Sequence, residues 1–195
     1  MNDTDIRNIP AVLHAIRHDT AQHGFTMASE PKTGSLLCAL AASKPGGRFL
    51  ELGTGTGVGT AWLLAGMDSA SRLDTVDNDA SVLAIAQRHV GHDPRVTFHL
   101  MDGVLFLQRS EAMQLDFVYA DTWPGKFTHL DLALSLLRVG GIYFVDDLLP
   151  QPSWPEGHAA KVPPLIAELE SRPGFTATKL AWASGLMILV RTSAT

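Results

Sequence analysis

Six carboxylates stand where short apolar runs end. Glu51 lies within Phe49-Leu50-Glu51-Leu52, and Asp77 closes Leu73 to Val76. Asp102 follows the alternating run Arg95 to Leu100, and Asp121 follows Leu115 to Ala120. Asp146 and Asp147 together close Ile142 to Val145. A carboxylate withdrawn from water is costly unless it is paired or hydrogen-bonded. Acids repeated at this position therefore point to shared partners. Carboxylate oxygens can take a pair of hydroxyls, draw a proton, or contribute hard oxygen donors to a divalent cation.

The second chemical feature is a glycine series, Gly53-Thr54-Gly55-Thr56-Gly57-Val58-Gly59, directly after Arg48 to Leu52 and before the helix-compatible run Ala61 to Ala65. A strand that passes into a helix through glycines leaves main chain bare for a ligand, and the helix start turns unsatisfied N–H groups toward it. The spacing excludes a dinucleotide fingerprint Gly-x-Gly-x-x-Gly. Counting from Gly53, Gly55 or Gly57, the third glycine falls on Val58, Thr60 or Trp62. The pattern is acid-x-Gly-x-Gly-x-Gly, led by Glu51.

The elements that must position these groups alternate. Strands are expected at Arg48 to Leu52, Leu73 to Asp77, Arg95 to Leu100, Leu115 to Ala120, Ile142 to Val145, Phe175 to Ala181 and Leu186 to Val190. Helices are expected from Asp5 to His23 (interrupted or started by Pro10), from Pro31 to Ala42, and at Ala80 to Val90 with Asp79 as cap. Further helices are expected at Val104 to Glu111, Thr128 to Leu137 and His158 to Ser171. Strand–helix alternation gives an α/β doubly wound, mostly parallel sheet of seven strands with helices on both faces. The four residues Trp182 to Gly185 permit only an antiparallel final pair. In such a sheet ligands gather at the carboxyl ends of the strands, where the six acids sit. Leu148 to Gly157, rich in proline and carrying Trp154, is long enough for a pocket wall.

One domain accounts for all 195 residues, a helical cap segment over 1–45 and a sheet core over 46–195. Hydrophobic residues make up 46% and charged residues 18%, with net charge −5 and pI near 5.8. No basic stripe is present, which argues against a nucleic-acid partner. No apolar run is long enough to cross a membrane. Cys38 is the only cysteine, so no intrachain disulfide forms. The acidic, polar N-terminal residues are unlike a signal peptide, and a cytoplasmic protein is expected.

The Glu51–Gly59 stretch resembles the first motif of the class I S-adenosylmethionine-dependent methyltransferases, whose Rossmann-like sheet is the architecture read above. The resemblance covers almost the whole chain. It implies cofactor contacts at Glu51, Gly53, Thr54, Gly55 and Gly57, and ribose contacts from Asp77 beside Asn78. It implies adenine contacts from Asp102 and Gly103, and places Asp121 and Thr122 beside the methyl donor. The span Tyr119 to Pro150 resembles the cation-dependent catechol and caffeoyl-CoA type O-methyltransferases. This implies a magnesium-like ion held by Asp121, Asp146 and Asp147, with Asp147 standing where that family has Asn. The family's lysine three residues after the first metal Asp is Pro124 here. Lys126, two residues on, is the candidate to act with Asp121 on a substrate hydroxyl. The expected function is methyl transfer from S-adenosylmethionine to a hydroxyl of a small, aromatic acceptor, and the amphipathic N-terminal segment suggests a homodimer. Three alternatives stay open: a metal-independent methyltransferase with a side-chain base such as His129 or His158, a nicotinamide-dependent oxidoreductase, and a non-catalytic binding protein on the same fold.

Overall fold

The computed structural model describes residues 2–110 and 112–193. Seven strands form one sheet: β1 (Arg48–Leu52), β2 (Arg72–Asp77), β3 (Val96–Leu100), β4 (Leu115–Ala120), β5 (Leu137–Val145), β6 (Phe175–Leu180) and β7 (Leu186–Arg191). Their spatial order is β3-β2-β1-β4-β5-β7-β6. The first five run parallel, and β7 enters antiparallel between β5 and β6. This is the expected doubly wound sheet with its terminal antiparallel hairpin. The order reverses between β1 and β4, which opens a crevice at their carboxyl ends.

Helices α1 (Leu13–His23), α2 (Pro31–Ala42), α3 (Val58–Gly66), α4 (Ala80–Val90), α5 (Gly103–Arg109), α6 (Leu130–Ser135) and α7 (His158–Glu170) complete the fold. Alternate strand residues feed two separate cores. Leu50, Leu52, Val118 and Ala120 face one core with Phe106, Leu134 and Leu165. Phe49, Phe117 and Tyr119 face the other with Leu13, Leu37 and Trp62. Glu51 alternates with Leu50 and Leu52, so it belongs on the second face, in register with Thr75 on one side and Tyr119 on the other.

Several boundaries differ from the sequence reading: the first helix begins at Leu13 rather than Asp5, and the largest changes surround β5. The helix expected over Thr128 to Leu137 is only Leu130–Ser135, because His129 takes a left-handed conformation (φ 55°) at its start. Beyond it the chain is already strand at Leu137 rather than at Ile142. Gly140 and Gly141, which read as a stop, sit inside β5 at a shift of its register against β4. A Cβ on Gly141 would lie 2.9 Å from the Leu115 carbonyl oxygen, so a glycine is what lets the two strands stay close here. The expected end of α5 at Glu111 lies outside the described residues. Among the described residues, no helix is long and apolar enough to cross a membrane.

Candidate active site

A cleft of about 500 Å³ opens at the carboxyl ends of β1, β2, β4 and β5. Its floor is the glycine turn: Gly53, Thr54, Gly55, Thr56, Val58 and Gly59 all line it. Gly53 and Gly55 hold φ of 100° and 52°, values that L side chains rarely adopt. A Cβ on Gly53 would lie 2.8 Å from the Asp121 carbonyl oxygen, so this turn is packed against the start of the β4 loop. The part-exposed main chain it leaves faces the cleft, with the first turn of α3 behind it.

The acids divide into three groups. Asp77 and Asn78 line the cleft beside the turn. Asp77 accepts from the Gly55 N–H (2.8 Å) with one oxygen and from the Asp79 N–H (2.9 Å) with the other. Each oxygen keeps a lone pair, so the carboxylate fixes the turn and still has acceptor capacity for a ligand. Asp102 and Gly103 line a neighbouring cavity of about 210 Å³ that shares Gly53, Asp77, Asn78, Thr122 and Trp123 with the main cleft. Asp102 also caps α5, accepting from the N–H groups of Val104 and Leu105.

Asp121 and Asp146 meet on Tyr119. The phenol oxygen lies 3.0 Å from Asp121 Oδ2, 3.0 Å from Asp146 Oδ2 and 3.0 Å from Ser29 Oγ. A phenol carries one hydrogen and cannot donate to both acids at once. Burial, with each charge acting on its neighbour, raises the Asp121 carboxyl well above its ordinary range. Burial likewise raises Asp146 and the Tyr119 phenol. Opposite them Lys126, only 2% exposed, donates from Nζ to the Asp146 carbonyl at 3.0 Å, and its charge favours ionisation of both acids.

Two residues expected to touch a ligand lie beneath the floor instead. Glu51 is fully buried and accepts from the hydroxyls of Thr60 (2.5 Å) and Thr75 (2.6 Å). It braces α3 against the sheet and is not part of the cleft wall, because strand alternation turns it under α3. Gly57 is buried against α4, where a Cβ would lie 2.8 Å from the Ala86 methyl. Its absent side chain serves helix packing. Burial pushes the Glu51 carboxyl up to about 8, so the folded protein holds a proton there that the unfolded chain releases near 4.5. The stability this contributes is complete below about pH 4.5 and is lost as pH rises through about 8. Glu51→Gln removes that dependence. Its melting temperature is expected to gain several degrees on the parent between pH 5 and pH 8.5, measured by thermal denaturation; parallel curves would contradict the assignment.

Asp146 and Asp147, two of the three acids expected to hold a metal ion with Asp121, have other neighbours here. Among the described residues, no group of three His, Cys, Asp or Glu side chains is arranged to hold a metal ion. Asp146 Oδ1 accepts from the Ser184 hydroxyl and from the Asp147 N–H (2.7 Å), and Oδ2 from Tyr119. Asp147 turns away through a left-handed backbone (φ 67°), and its carboxylate faces His158 Nε2 at 3.7 Å. These donors do not fit the ion.

Sequence reasoning missed Tyr119, Ser184 and Phe25, while the segment starting at Ser29 resembles the entry segment of small O-methyltransferases and does line the cleft. Tyr119 was legible in principle, since it precedes Asp121 by two positions and shares its strand face. Phe25, whose ring would be 3.3 Å from a Cβ on Gly55, comes from a loop with no local signal. Trp123, Trp154, Gln151, Ser153 and Met27 also line the cleft. Trp154 stacks on His158 with centroids 4.4 Å apart. Burial, then the Lys126 charge, lowers the His158 imidazole below its usual range.

A Rossmann-like sheet with a glycine turn at its switch point and acids closing its strands defines a class of ligand-binding α/β domain. Residues 50–148 match the family described as a methyltransferase domain, and this chain belongs to that family. A Mycobacterium tuberculosis protein named "Probable O-methyltransferase" is 34% identical over 124 residues, 60% of this chain and 55% of that protein. The chain thus spans little more than half the length of the curated relatives it matches. The O-methyltransferase from Bacillus cereus, solved in complex with SAH, superposes with a TM-score of 0.83 at 20% identity, covering 97% of this chain and 94% of that one. The O-methyltransferase TomG from Streptomyces achromogenes, solved with SAM, gives 0.81 at 22% identity, covering 94% and 90%. At these identities the two structures establish the shared fold.

Proposed function

We propose that the protein transfers a methyl group from S-adenosylmethionine to a hydroxyl of a small aromatic acceptor. The observation that carries this is the continuity of one cleft from the bare glycine turn and Asp77, through Asp121, to Lys126 and the two tryptophans. The relatives named for O-methyl transfer, and the folds solved with SAM and SAH, support the same reading. When bound, S-adenosylmethionine supplies an electrophilic methyl on a cationic sulfur.

Each part of the cleft has its own task in this reading. The Gly53–Gly55 main chain and the α3 start take the polar amino-acid end. Asp77, already fixed by two N–H groups, takes the ribose hydroxyls, and the smaller cavity at Asp102 and Gly103 takes the base. Asp121, which in this reading lines the cleft between the glycine turn's side and that of Lys126, offers negative charge to a cationic centre. Trp123 and Trp154 confine a flat ring, and Lys126 meets its oxygen. Holding two reactants in line removes much of the entropic cost of their encounter.

The test is transfer of isotope-labelled methyl from S-adenosylmethionine to a panel of phenols and catechols, with the products identified by mass. An O-methylated product that SAH suppresses is the expected result. Failure to label any hydroxyl, or labelling at nitrogen only, contradicts the proposal.

A further inference from the structure

Asp146, which closes β5, is held by protein partners, and the buried Lys126 stands beside its main chain. Asp146 accepts three hydrogen bonds, from Ser184, the Asp147 N–H and Tyr119. Asp121 rests on the same phenol at 3.0 Å. Asp147 is drawn aside toward His158, whose Nε2 is 3.4 Å from its carbonyl oxygen and 3.7 Å from its carboxylate. A hard divalent ion needs oxygens converging at about 2.0–2.6 Å, and among the described residues no three such side chains are arranged to hold one. Lys126 is buried in the same wall of the cleft, with Nζ anchored on the Asp146 carbonyl at 3.0 Å. An ammonium has three hydrogens, and a dication beside it would meet like-charge repulsion in a poorly solvated place.

We infer that the Lys126 ammonium stands in place of a divalent cation, so that the acceptor oxygen is set against a fixed side-chain charge and the protein works without a bound metal. The inference rests on the proposed methyl transfer. In the step, the acceptor oxygen forms its bond to the methyl carbon as the sulfur–carbon bond breaks, with that electron pair passing to sulfur. The hydroxyl proton leaves to the Asp147 carboxylate, which borders the cleft with His158 behind it. Lys126 lowers the energy of the oxygen's developing charge.

Manganese binding to the whole protein, read by the paramagnetic signal of the free ion with and without saturating SAH, decides the matter. The expected result is no stoichiometric uptake below about 1 mM, together with at least tenfold tighter uptake by Lys126→Met, in which the competing charge is gone. Lys126→Gln serves as the second variant should the first fail to fold. One equivalent of manganese bound by the parent below that concentration overturns the inference, as does a variant no tighter than the parent. Failure to take up SAH would count against the methyl-donor reading instead, and the donor-free titration would still decide this one.

Discussion

Asp77→Ala is expected to weaken SAH binding about 10- to 100-fold, measured by calorimetric titration. The carboxylate closes β2 beside the glycine turn and has two consequences for a ligand. It presents acceptor oxygens where ribose hydroxyls would lie, and charge-assisted bonds of this kind contribute about 1–3 kcal/mol. It also holds the Gly55 N–H, so its loss loosens the floor of the cleft at φ values that depend on support. Asp77→Asn keeps an acceptor and should recover part of the loss. Unchanged affinity in the alanine variant would mean that the sugar does not sit here.

Gly34→Ala should produce the largest loss of stability from a single methyl. Gly34 lies on α2 where it crosses α3, and an added Cβ would fall 2.0 Å from the Trp62 indole nitrogen and 2.1 Å from the adjacent ring carbon. Trp62 is 1% exposed and among the largest buried side chains, so it has nowhere to retreat. Overpacking of a full core costs about 1–3 kcal/mol or more. At roughly 2–4 °C per kcal/mol for a chain of this size, a fall in melting temperature of about 5–10 °C is expected. A variant that melts with the parent would show that the α2–α3 crossing can open.

The sheet was readable because its signals are local. Each of the five parallel strands carries a short apolar or alternating run, and the glycine register by itself separated this turn from a dinucleotide fingerprint. The short link through Trp182 to Gly185 left β6 and β7 no choice but to pair antiparallel. The glycines at 140 and 141 misled for a physical reason: a bulge within a strand and a turn between elements place the same demand on the backbone.

The site was legible only to the level of which residues approach it. Strand ends brought Asp77, Asp121, Asp146 and Asp147 to one crevice, as topology requires. What each acid does there depends on long-range neighbours that no spacing reveals. Ser184 reaches Asp146 across 38 residues, and Ser29 reaches Tyr119 across 90. Those contacts fix the Asp146 carboxylate and the Tyr119 phenol. Glu51 shows the same limit, since its position in the motif suggested a ligand contact while strand alternation buried it beneath the helix.

The most direct measurement of the central claim is the wild-type arm of the SAH titration, run beside an identical titration with NAD. The account predicts one SAH bound per chain, with a rise in melting temperature, and no heat from NAD. No affinity for SAH, or binding of NAD in its place, would contradict it.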